Sequence, residues 1–113
     1  MKKITIIGTG YVGLVSGAGL AEFGHNVSCV DIDQEKIKNL NNGQIPIHEP
    51  GLDRIVKNNI REGRLTFSSN IEKNIQEAKI IFIAVGTPQD EKGIADLTAV
   101  KSVVRIIADN LNN

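Results

Sequence analysis

The sequence predicts an α/β protein with a parallel β-sheet and helices on both of its faces. Short β-branched segments alternate with segments of helical periodicity along the 113 residues, as is typical of strands joined by right-handed helical crossovers. Residues 80–85 are six consecutive apolar residues, as expected of a parallel strand covered from both sides. Five of the 11 glycines fall between Gly8 and Gly19, at a predicted strand-to-helix junction. We therefore expect a truncated, doubly wound sheet of about four strands in the order 3-2-1-4.

Composition and charge exclude several classes of protein. The 13 Lys and Arg residues balance the 13 Asp and Glu residues, which argues against a nucleic-acid partner. A single cysteine cannot form an internal disulfide. No segment approaches the roughly 18 apolar residues of a membrane span, and Gly8, Gly10 and Gly13 interrupt the apolar start that resembles a signal peptide. We expect one cytoplasmic domain with no membrane partner.

The first half of the chain contains two strand-and-helix pairs. The predicted elements are a strand over 4–7, a helix over 12–23, a strand over 27–31 and a helix over 33–40. Gly13, Gly17 and Ala21 recur every fourth position, so the first helix has a face of small residues that lets it approach the sheet closely. Gly24 stands where a helix C-terminal cap belongs, and Gly43 closes the second helix.

The second half begins with a loop over 44–51 that contains two prolines. The elements predicted after it are a helix from Leu52 to near Gly63, a weak strand over 65–68, a helix over 71–78 and a strand over 79–85. After a loop over 86–95, Asp96 is expected to cap a final helix. The predicted apolar face of that helix consists of Leu97, Val100, Val104, Ile107 and Leu111.

Residues 8–13 read G-T-G-Y-V-G, a match to G-x-G-x-x-G between a predicted strand and a predicted helix. Gly8 permits the tight turn, Gly10 lets a pyrophosphate reach the backbone, and Gly13 lets helix and strand pack closely. The amides of Tyr11 and Val12 open the helix, where unpaired donors attract phosphate. The alternative is a glycine turn that serves packing only. The context favours a Rossmann-type dinucleotide site.

Asp31 ends the second strand, 18 residues after Gly13, near the spacing of about 20 expected for a ribose-binding acid. Its carboxylate would repel a 2′-phosphate, and Ile32 offers no guanidinium to bind one, so the sequence favours NAD over NADP. Lys36 lies one turn into the next helix, within reach of the same ribose or the adenine edge. From local sequence alone, a solvated surface lysine is the alternative.

Thr87 follows the fourth strand. In a sheet ordered 3-2-1-4, strands 1 and 4 flank the topological switch point, where ligands bind beyond the carboxyl ends of the strands. Thr87 is therefore expected to face the same crevice as the glycine loop. The alternative is a hydroxyl that satisfies its own turn before Pro88.

The other chemically reactive side chains do not form a reaction centre. Cys29 lies within a predicted strand with no adjacent basic residue, as a buried structural cysteine would. His25 is expected in a surface turn, and His48 with Glu49 is not a metal site. We identify neither catalytic nor metal-binding residues, and the chain is predicted to be a cofactor platform.

Five segments of the chain, which include the glycine loop and Asp31, together resemble the N-terminal NAD-binding region of the UDP-glucose/GDP-mannose dehydrogenase family. The matching segments are residues 7–15 (IGTGYVGLV), 30–33 (VDID) with Lys36 and Ile37, 46–52 (PIHEPGL), 84–88 (AVGTP) and 96–98 (DLT). They span nearly the whole chain, and the second and third are more specific than the glycine loop.

The resemblance implies a two-step, four-electron oxidation of a nucleotide-sugar C6 hydroxyl to a carboxylate, with UDP-glucose converted to UDP-glucuronate by two NAD. It implies that NAD contacts the positions matching Tyr11, Val12, Asp31, Lys36 and Thr87. The family's catalytic cysteine and lysine lie in later segments than Asn113, so residues 1–113 are expected to form an incomplete NAD-binding domain, inactive by itself.

Two alternatives remain open. One is a sibling enzyme acting on UDP-N-acetylmannosamine or GDP-mannose, and the other is a stand-alone NAD-binding regulatory module. A homo-oligomer is expected. The outer edge of the fourth strand, unless a fifth strand covers it, is expected to cause either self-association or weak stability.

Overall fold

The computed structural model describes residues 3–86 and 97–111, which form four strands and five helices. The strands are β1 (Lys3–Ile7), β2 (Asn26–Val30), β3 (Leu65–Ser68) and β4 (Ile80–Ile83). The helices are α1 (Tyr11–Glu22), α2 (Gln34–Asn41), α3 (Leu52–Arg61), α4 (Ile71–Glu77) and α5 (Thr98–Asn110). The predicted elements are therefore all present, with their ends shifted by at most a few residues.

The four strands form one parallel sheet in the order β3-β2-β1-β4, which confirms the predicted fold class and strand order. The hydrogen-bond ladder continues past the strand ends: the Gly8 amide donates to the Val30 carbonyl (2.8 Å) and the Ala84 amide to the Ile7 carbonyl (2.7 Å). Since parallel strands point the same way, Gly8, Asp31 and Ala84 meet at one edge of the sheet. This edge carries the candidate site.

Helices cover both faces of the sheet and create two apolar clusters. The larger cluster packs α1, α2 and α3 against alternate residues of β1, β2 and β3, among them Ile6, Cys29 and Phe67. The smaller cluster, on the opposite face, joins Ile7 and Val30 to residues of α4 and α5. The period-2 alternation of buried side chains along β1 and β2 explains why each strand contributes to both clusters.

The small-residue face of α1 lies against the sheet, as predicted. Gly13, Gly17 and Ala21 are buried there, and a Cβ on Gly17 would lie 2.5 Å from the Cys29 Sγ. Gly24 has a φ of 102° and its amide donates to the Ala21 carbonyl (2.9 Å). The predicted glycine cap of α1 is therefore confirmed.

The apolar face predicted for α5 is wrong in part. Val103 is the buried residue of this helix, whereas Leu97, Val104 and Leu111 are exposed, Val104 by 50%. The reason is that α5 carries a second apolar stripe, and Val103 lies on the stripe that packs against Ile75 and the ends of β1 and β2. Asp96, the predicted cap, lies outside the described residues, as do Asp90 and Glu91.

The expectation that β4 is covered on both faces is also wrong for the described part of the chain. Phe82 is 47% exposed and Ile83 is similar. The reason is position, because β4 is an outer strand of the sheet that pairs with β1 on one side. Helices α1 and α5 flank β4 without closing over Phe82 and Ile83.

We predict that the apolar outer edge of β4 drives self-association. Within residues 3–86 and 97–111, β4 has no strand partner beyond β1, and an apolar edge with free backbone groups templates pairing. Phe82→Lys should shift the chain toward monomer in sedimentation velocity over a concentration series. The control is Ile32→Lys, at an exposed residue that follows β2, two strands away from β4. It should leave the distribution between monomer and oligomer unchanged. A wild-type chain that stays monomeric throughout the series would contradict the prediction.

Candidate functional site

The glycine loop between β1 and α1 is held closed by contacts between backbone atoms. Gly8 has a φ of 111°, and a Cβ there would lie 2.6 Å from the Ala84 carbonyl oxygen. A Cβ on Gly13 would overlap the Gly8 carbonyl oxygen. Gly8 and Gly13 are therefore explained by the close approach of β1, β4 and the first turn of α1, as the sequence predicts.

Gly10 has a different environment. A Cβ there would meet no protein atom within 4 Å, and Gly10 lines a cavity beyond the carboxyl ends of the strands. Packing does not require glycine at this position, but its lack of a side chain keeps the space in front of the helix open. Gly10 precedes α1 without a side-chain cap, so the amides of Tyr11 and Val12 begin the helix with no intrahelical acceptor. The helix dipole adds positive potential at this end.

Asp31 lies beside this loop, at the end of β2, and its carboxylate is tied to the loop by hydrogen bonds. Oδ2 accepts from the Thr9 amide (3.1 Å) and from the Thr9 hydroxyl (2.7 Å). Oδ1 accepts from the Asp33 amide (3.1 Å). With 17% of the side chain exposed, the carboxylate is held in one orientation and still borders the cavity.

The pKa of Asp31 lies below its ordinary value. Partial burial acts to raise this pKa, but hydrogen bonds from the Thr9 hydroxyl, the Asp33 amide and the Thr9 amide, together with the Lys36 charge, outweigh it. Asp31 is therefore ionised at neutral pH. Because its pKa is depressed in the folded chain, its contribution to stability is complete above the unfolded-state pKa and is lost as pH falls through the folded-state pKa.

Lys36 lines the same cavity from α2. Its Nζ lies 4.0 Å from Asp31 Oδ2, while its backbone amide donates to the Asp33 side chain (3.1 Å), which caps α2. The cap positions Lys36 in the first turn of the helix, with its ammonium directed toward the Asp31 carboxylate. Lys36 thus lies next to Asp31, and its contact with a ribose or an adenine edge stays a prediction.

The cavity has a volume of about 440 Å³. It extends from the glycine loop to the face of the sheet that α4 and α5 cover. Among its described lining residues, Asp31 and Lys36 are the charged ones. Its apolar wall comes from α4, α5 and the end of β4, and consists of Ile71, Ala84, Val85, Ala99, Val103 and Ile106. Thr87, the remaining predicted site residue, lies outside the described residues.

The side chains of Tyr11 and Val12 point away from this cavity. Val12 lines an apolar groove beside β4, and the Tyr11 hydroxyl donates to Glu49 Oε2 (3.3 Å). Glu49, which the sequence assigned to a loop without a metal role, thus links the loop between α2 and α3 to the start of α1. Any contact of Tyr11 and Val12 with a phosphate in this cavity would therefore be made by their backbone amides at the start of α1.

Thr9 is the residue of this site that sequence reasoning missed. It occupies a variable position of the G-x-G-x-x-G pattern, and the pattern assigns no chemistry to its side chain. A signal did exist, because pairing of Ile7 with Val30 brings the residues that follow the two strands together. A hydroxyl at position 9 opposite a carboxylate at position 31 was therefore detectable from the predicted strand order.

Cys29 is buried in the sheet, as predicted, and burial raises the pKa of its thiol to about 12. The thiol is therefore protonated and unreactive at neutral pH. Within residues 3–86 and 97–111, no group of three or more His, Cys, Asp or Glu side chains is placed to hold a metal ion. Over the same residues, no helix combines the length and apolarity needed to cross a bilayer.

Gly10, which directly precedes α1, and the Asp31 carboxylate after β2 border one cavity. The cavity reaches the ends of β1 and β4, where the strand order reverses. A nucleotide fits this arrangement, because its phosphate can accept hydrogen bonds from the amides at a helix start while the diol of the attached ribose donates to a carboxylate. The chain is thus a dinucleotide-binding α/β domain. It belongs to the UDP-glucose/GDP-mannose dehydrogenase family, whose NAD-binding-domain sequence model matches residues 2–113.

Three relatives illustrate the family. The UDP-glucose 6-dehydrogenase TuaD of Bacillus subtilis is 54% identical over 112 residues, which are 99% of this chain and 24% of that protein. The crystal structure of a GDP-mannose dehydrogenase ternary complex from Pseudomonas aeruginosa has a TM-score of 0.88 at 38% identity, covering 92% of this chain and 24% of that one. A UDP-D-ManNAc dehydrogenase from Pyrococcus horikoshii has a TM-score of 0.88 at 30% identity, covering 96% and 25%. The chain thus spans about a quarter of the length of its curated relatives.

The cofactor of this domain is NAD, and the described residues fit it. The free space outside Gly10 admits a pyrophosphate to the backbone amides. The ionised Asp31 borders the cavity as an acceptor for hydroxyl groups. The apolar wall formed by α4 and α5 provides a surface on which a flat aromatic base can pack.

Proposed function

We propose that this domain binds the adenosine diphosphate half of NAD at the cavity beyond β1 and β2. The observation that carries the proposal is the open space at Gly10, which directly precedes α1 and lines the same cavity as Asp31. The proposed binding residues are Gly8, Gly10, Tyr11, Val12, Gly13, Asp31, Lys36 and Thr87.

Each proposed contact has a separate chemical task. The amides of Tyr11 and Val12 donate to the pyrophosphate. The Asp31 carboxylate accepts hydrogen bonds from the adenosine ribose hydroxyls, and Lys36 reaches the same ribose or the adenine edge. Thr87, which follows β4, contacts the cofactor from the other side of the switch point.

We propose that the site selects NAD over NADP by electrostatic repulsion. A 2′-phosphate would lie against the ionised Asp31 carboxylate, and an anion pair without a compensating cation is unfavourable in a partly buried site. Ile32, the next residue, is exposed and has no charge to offset the phosphate. Lys36, the nearby cation, is already within 4.0 Å of Asp31.

The proposed activity of the protein that carries this domain is the oxidation of UDP-glucose to UDP-glucuronate. Bound NAD supplies the hydride acceptor: two equivalents take up the four electrons released when the C6 hydroxyl, with one water, becomes a carboxylate. UDP-glucose is favoured by the 54% identity with the Bacillus subtilis enzyme. GDP-mannose and UDP-N-acetylmannosamine are the alternative substrates, since structures of dehydrogenases for both superimpose at a TM-score of 0.88. We propose that the protein that carries this domain is cytoplasmic and forms a homo-oligomer.

Calorimetric titration of the chain with NAD and with NADP tests the cofactor site. We expect saturable NAD binding, weaker NADP binding, and at least a tenfold loss of NAD affinity in Asp31→Ala, because hydrogen bonds to a charged group contribute about 1.5–3 kcal/mol. Asp53→Ala is the matched control, since it removes an exposed carboxylate paired with Lys57 on α3. That variant should bind NAD within about twofold of the wild type.

Two results would contradict the proposed site. One is NADP binding as tight as NAD binding, and the other is full NAD affinity in a folded Asp31→Ala. The substrate is tested separately, by the rate of NADH formation with each nucleotide sugar in the protein that carries this domain. The highest kcat/KM with GDP-mannose or UDP-N-acetylmannosamine would refute UDP-glucose. NAD binding without NADH formation from any sugar would favour the regulatory module.

A further inference from the structure

We propose that Thr9 is a positioning residue that orients the Asp31 carboxylate and thereby sharpens the preference for NAD over NADP. This inference rests on the proposed function, because it assigns a task to Thr9 within the same ribose subsite. Thr9 acts through Asp31, since only 1% of Thr9 is exposed and its hydroxyl hydrogen is directed at the carboxylate (2.7 Å).

The hydrogen-bond count at Asp31 shows why the Thr9 hydroxyl matters. An ionised carboxylate has about four acceptor positions, and the Thr9 amide, the Thr9 hydroxyl and the Asp33 amide occupy three of them. Both Thr9 bonds are made to Oδ2, so the carboxylate cannot rotate without breaking them. By this count one acceptor position, on Oδ1, is left for a ligand in the cavity that Asp31 lines.

This arrangement serves a ribose diol and does not serve a 2′-phosphate. A fixed carboxylate presents its free acceptor position to a ribose hydroxyl without first losing rotational freedom, which favours binding of NAD. NADP cannot form the diol contact, and repulsion from Asp31 persists whichever way the carboxylate turns. Loss of the bond from the Thr9 hydroxyl to Asp31 should therefore weaken NAD binding more than NADP binding. Of the charged residues around the carboxylate, Lys36 approaches it at 4.0 Å and the Asp33 side chain caps α2.

Three substitutions separate the hydroxyl from the rest of Thr9. Thr9→Val removes the hydroxyl at nearly constant volume, Thr9→Ala removes it without any steric demand, and Thr9→Ser retains it. All three keep the backbone amide that donates to Oδ2. The measurements are calorimetric titrations with NAD and NADP, and the pKa of Asp31 from carboxyl NMR shifts across a pH series of the cofactor-free chain.

We expect Thr9→Val and Thr9→Ala to weaken NAD binding about three- to tenfold, less than Asp31→Ala does, because the carboxylate remains and only one of the bonds that orient it is lost. The change for NADP should be smaller. The pKa of Asp31 should rise in both variants, because one donor to the ionised form is lost. Thr9→Ser should restore wild-type values in both measurements. A purely structural role would change NAD and NADP affinity equally and leave the Asp31 pKa unmoved.

The outcomes separate this inference from the proposed function. A wild-type chain that does not distinguish NAD from NADP refutes the proposed function and, with it, the role of Thr9 in selection. A wild-type chain that discriminates, with folded Thr9→Val and Thr9→Ala variants that discriminate equally well, refutes the Thr9 inference alone. An unchanged Asp31 pKa in those two variants would also refute it, whatever the cofactor affinities.

Discussion

Gly13→Ala is expected to lower the free energy of unfolding by about 3 kcal/mol, the upper range for overpacking a well-packed site. The added Cβ would overlap the Gly8 carbonyl oxygen. Gly8 cannot retreat, because its own amide is bonded to Val30 and it packs against the Ala84 carbonyl. The first turn of α1 must therefore move away from the sheet. The measurement is the urea midpoint, compared at constant m-value.

Gly19→Ala is the matched control on the same helix. A Cβ at Gly19 would meet no atom within 4 Å, so the substitution adds no overlap. Alanine has the higher helix propensity, and we expect stabilisation by about 0.5–1 kcal/mol. Opposite signs for the two variants would identify contact with the loop as the cause. Equal midpoints for Gly13→Ala and Gly19→Ala would show that α1 can shift freely and that the close packing is not required.

Much of the fold was predictable because its signals are local. The strand over 65–68 and the end of β2 before Asp31 follow from β-branched and apolar runs bounded by polar residues or glycine. The ends of α1 and α2 follow from Gly24 and Gly43, which adopt positive φ values after the helices. The alternation of strands and helices indicates a doubly wound parallel sheet, and the glycine loop after the first strand favours the order 3-2-1-4 within it.

The burial of α5 and β4 was not predictable from the same signals. Helix α5 is apolar on more than one side, so periodicity alone does not decide between the stripe containing Val103 and the stripe containing Val104. That choice depends on contact with Ile75 and the ends of β1 and β2. Likewise, the apolar run of β4 predicts that both faces of this strand are buried. Whether Phe82 is covered depends on which segments pack beside the strand, and its own sequence does not specify them.

The same division applies to the candidate site. The glycines and Asp31 were identifiable because backbone geometry and chain spacing restrict those positions to particular residue types. Thr9 and Glu49 act through contacts between residues 22 and 38 positions apart in the chain, and several other side chains are compatible with their local sequence. The strand order brings position 9 near position 31, but the bond from Thr9 to Asp31 and the contact of Glu49 with Tyr11 required the structure.

A second region where the fold depends on long-range polar contacts surrounds Asn59 on α3. Its side chain is fully buried, and its Nδ2 donates to the Ile55 carbonyl (2.8 Å) and to Glu22 Oε2 (3.3 Å). Its Oδ1 accepts from Arg64 Nε (2.9 Å). Arg64 in turn donates to the Ala21 carbonyl (3.1 Å). Asn59 thus joins α3 to the end of α1 and to the residue that precedes β3.

Asn59→Ala is expected to destabilise the chain by about 2–3 kcal/mol, because it leaves a cavity and deprives Arg64 and Glu22 of a buried partner. Asn58→Ala is the control on the adjacent residue, whose side chain accepts from Arg61 at the surface (2.7 Å). That variant should stay within about 0.5 kcal/mol of the wild type. Urea unfolding of both variants measures the difference. If Asn59→Ala costs no more than Asn58→Ala, the network does not stabilise the packing of α1 on α3, and apolar contacts of residues such as Val56 and Leu52 alone hold the two helices together.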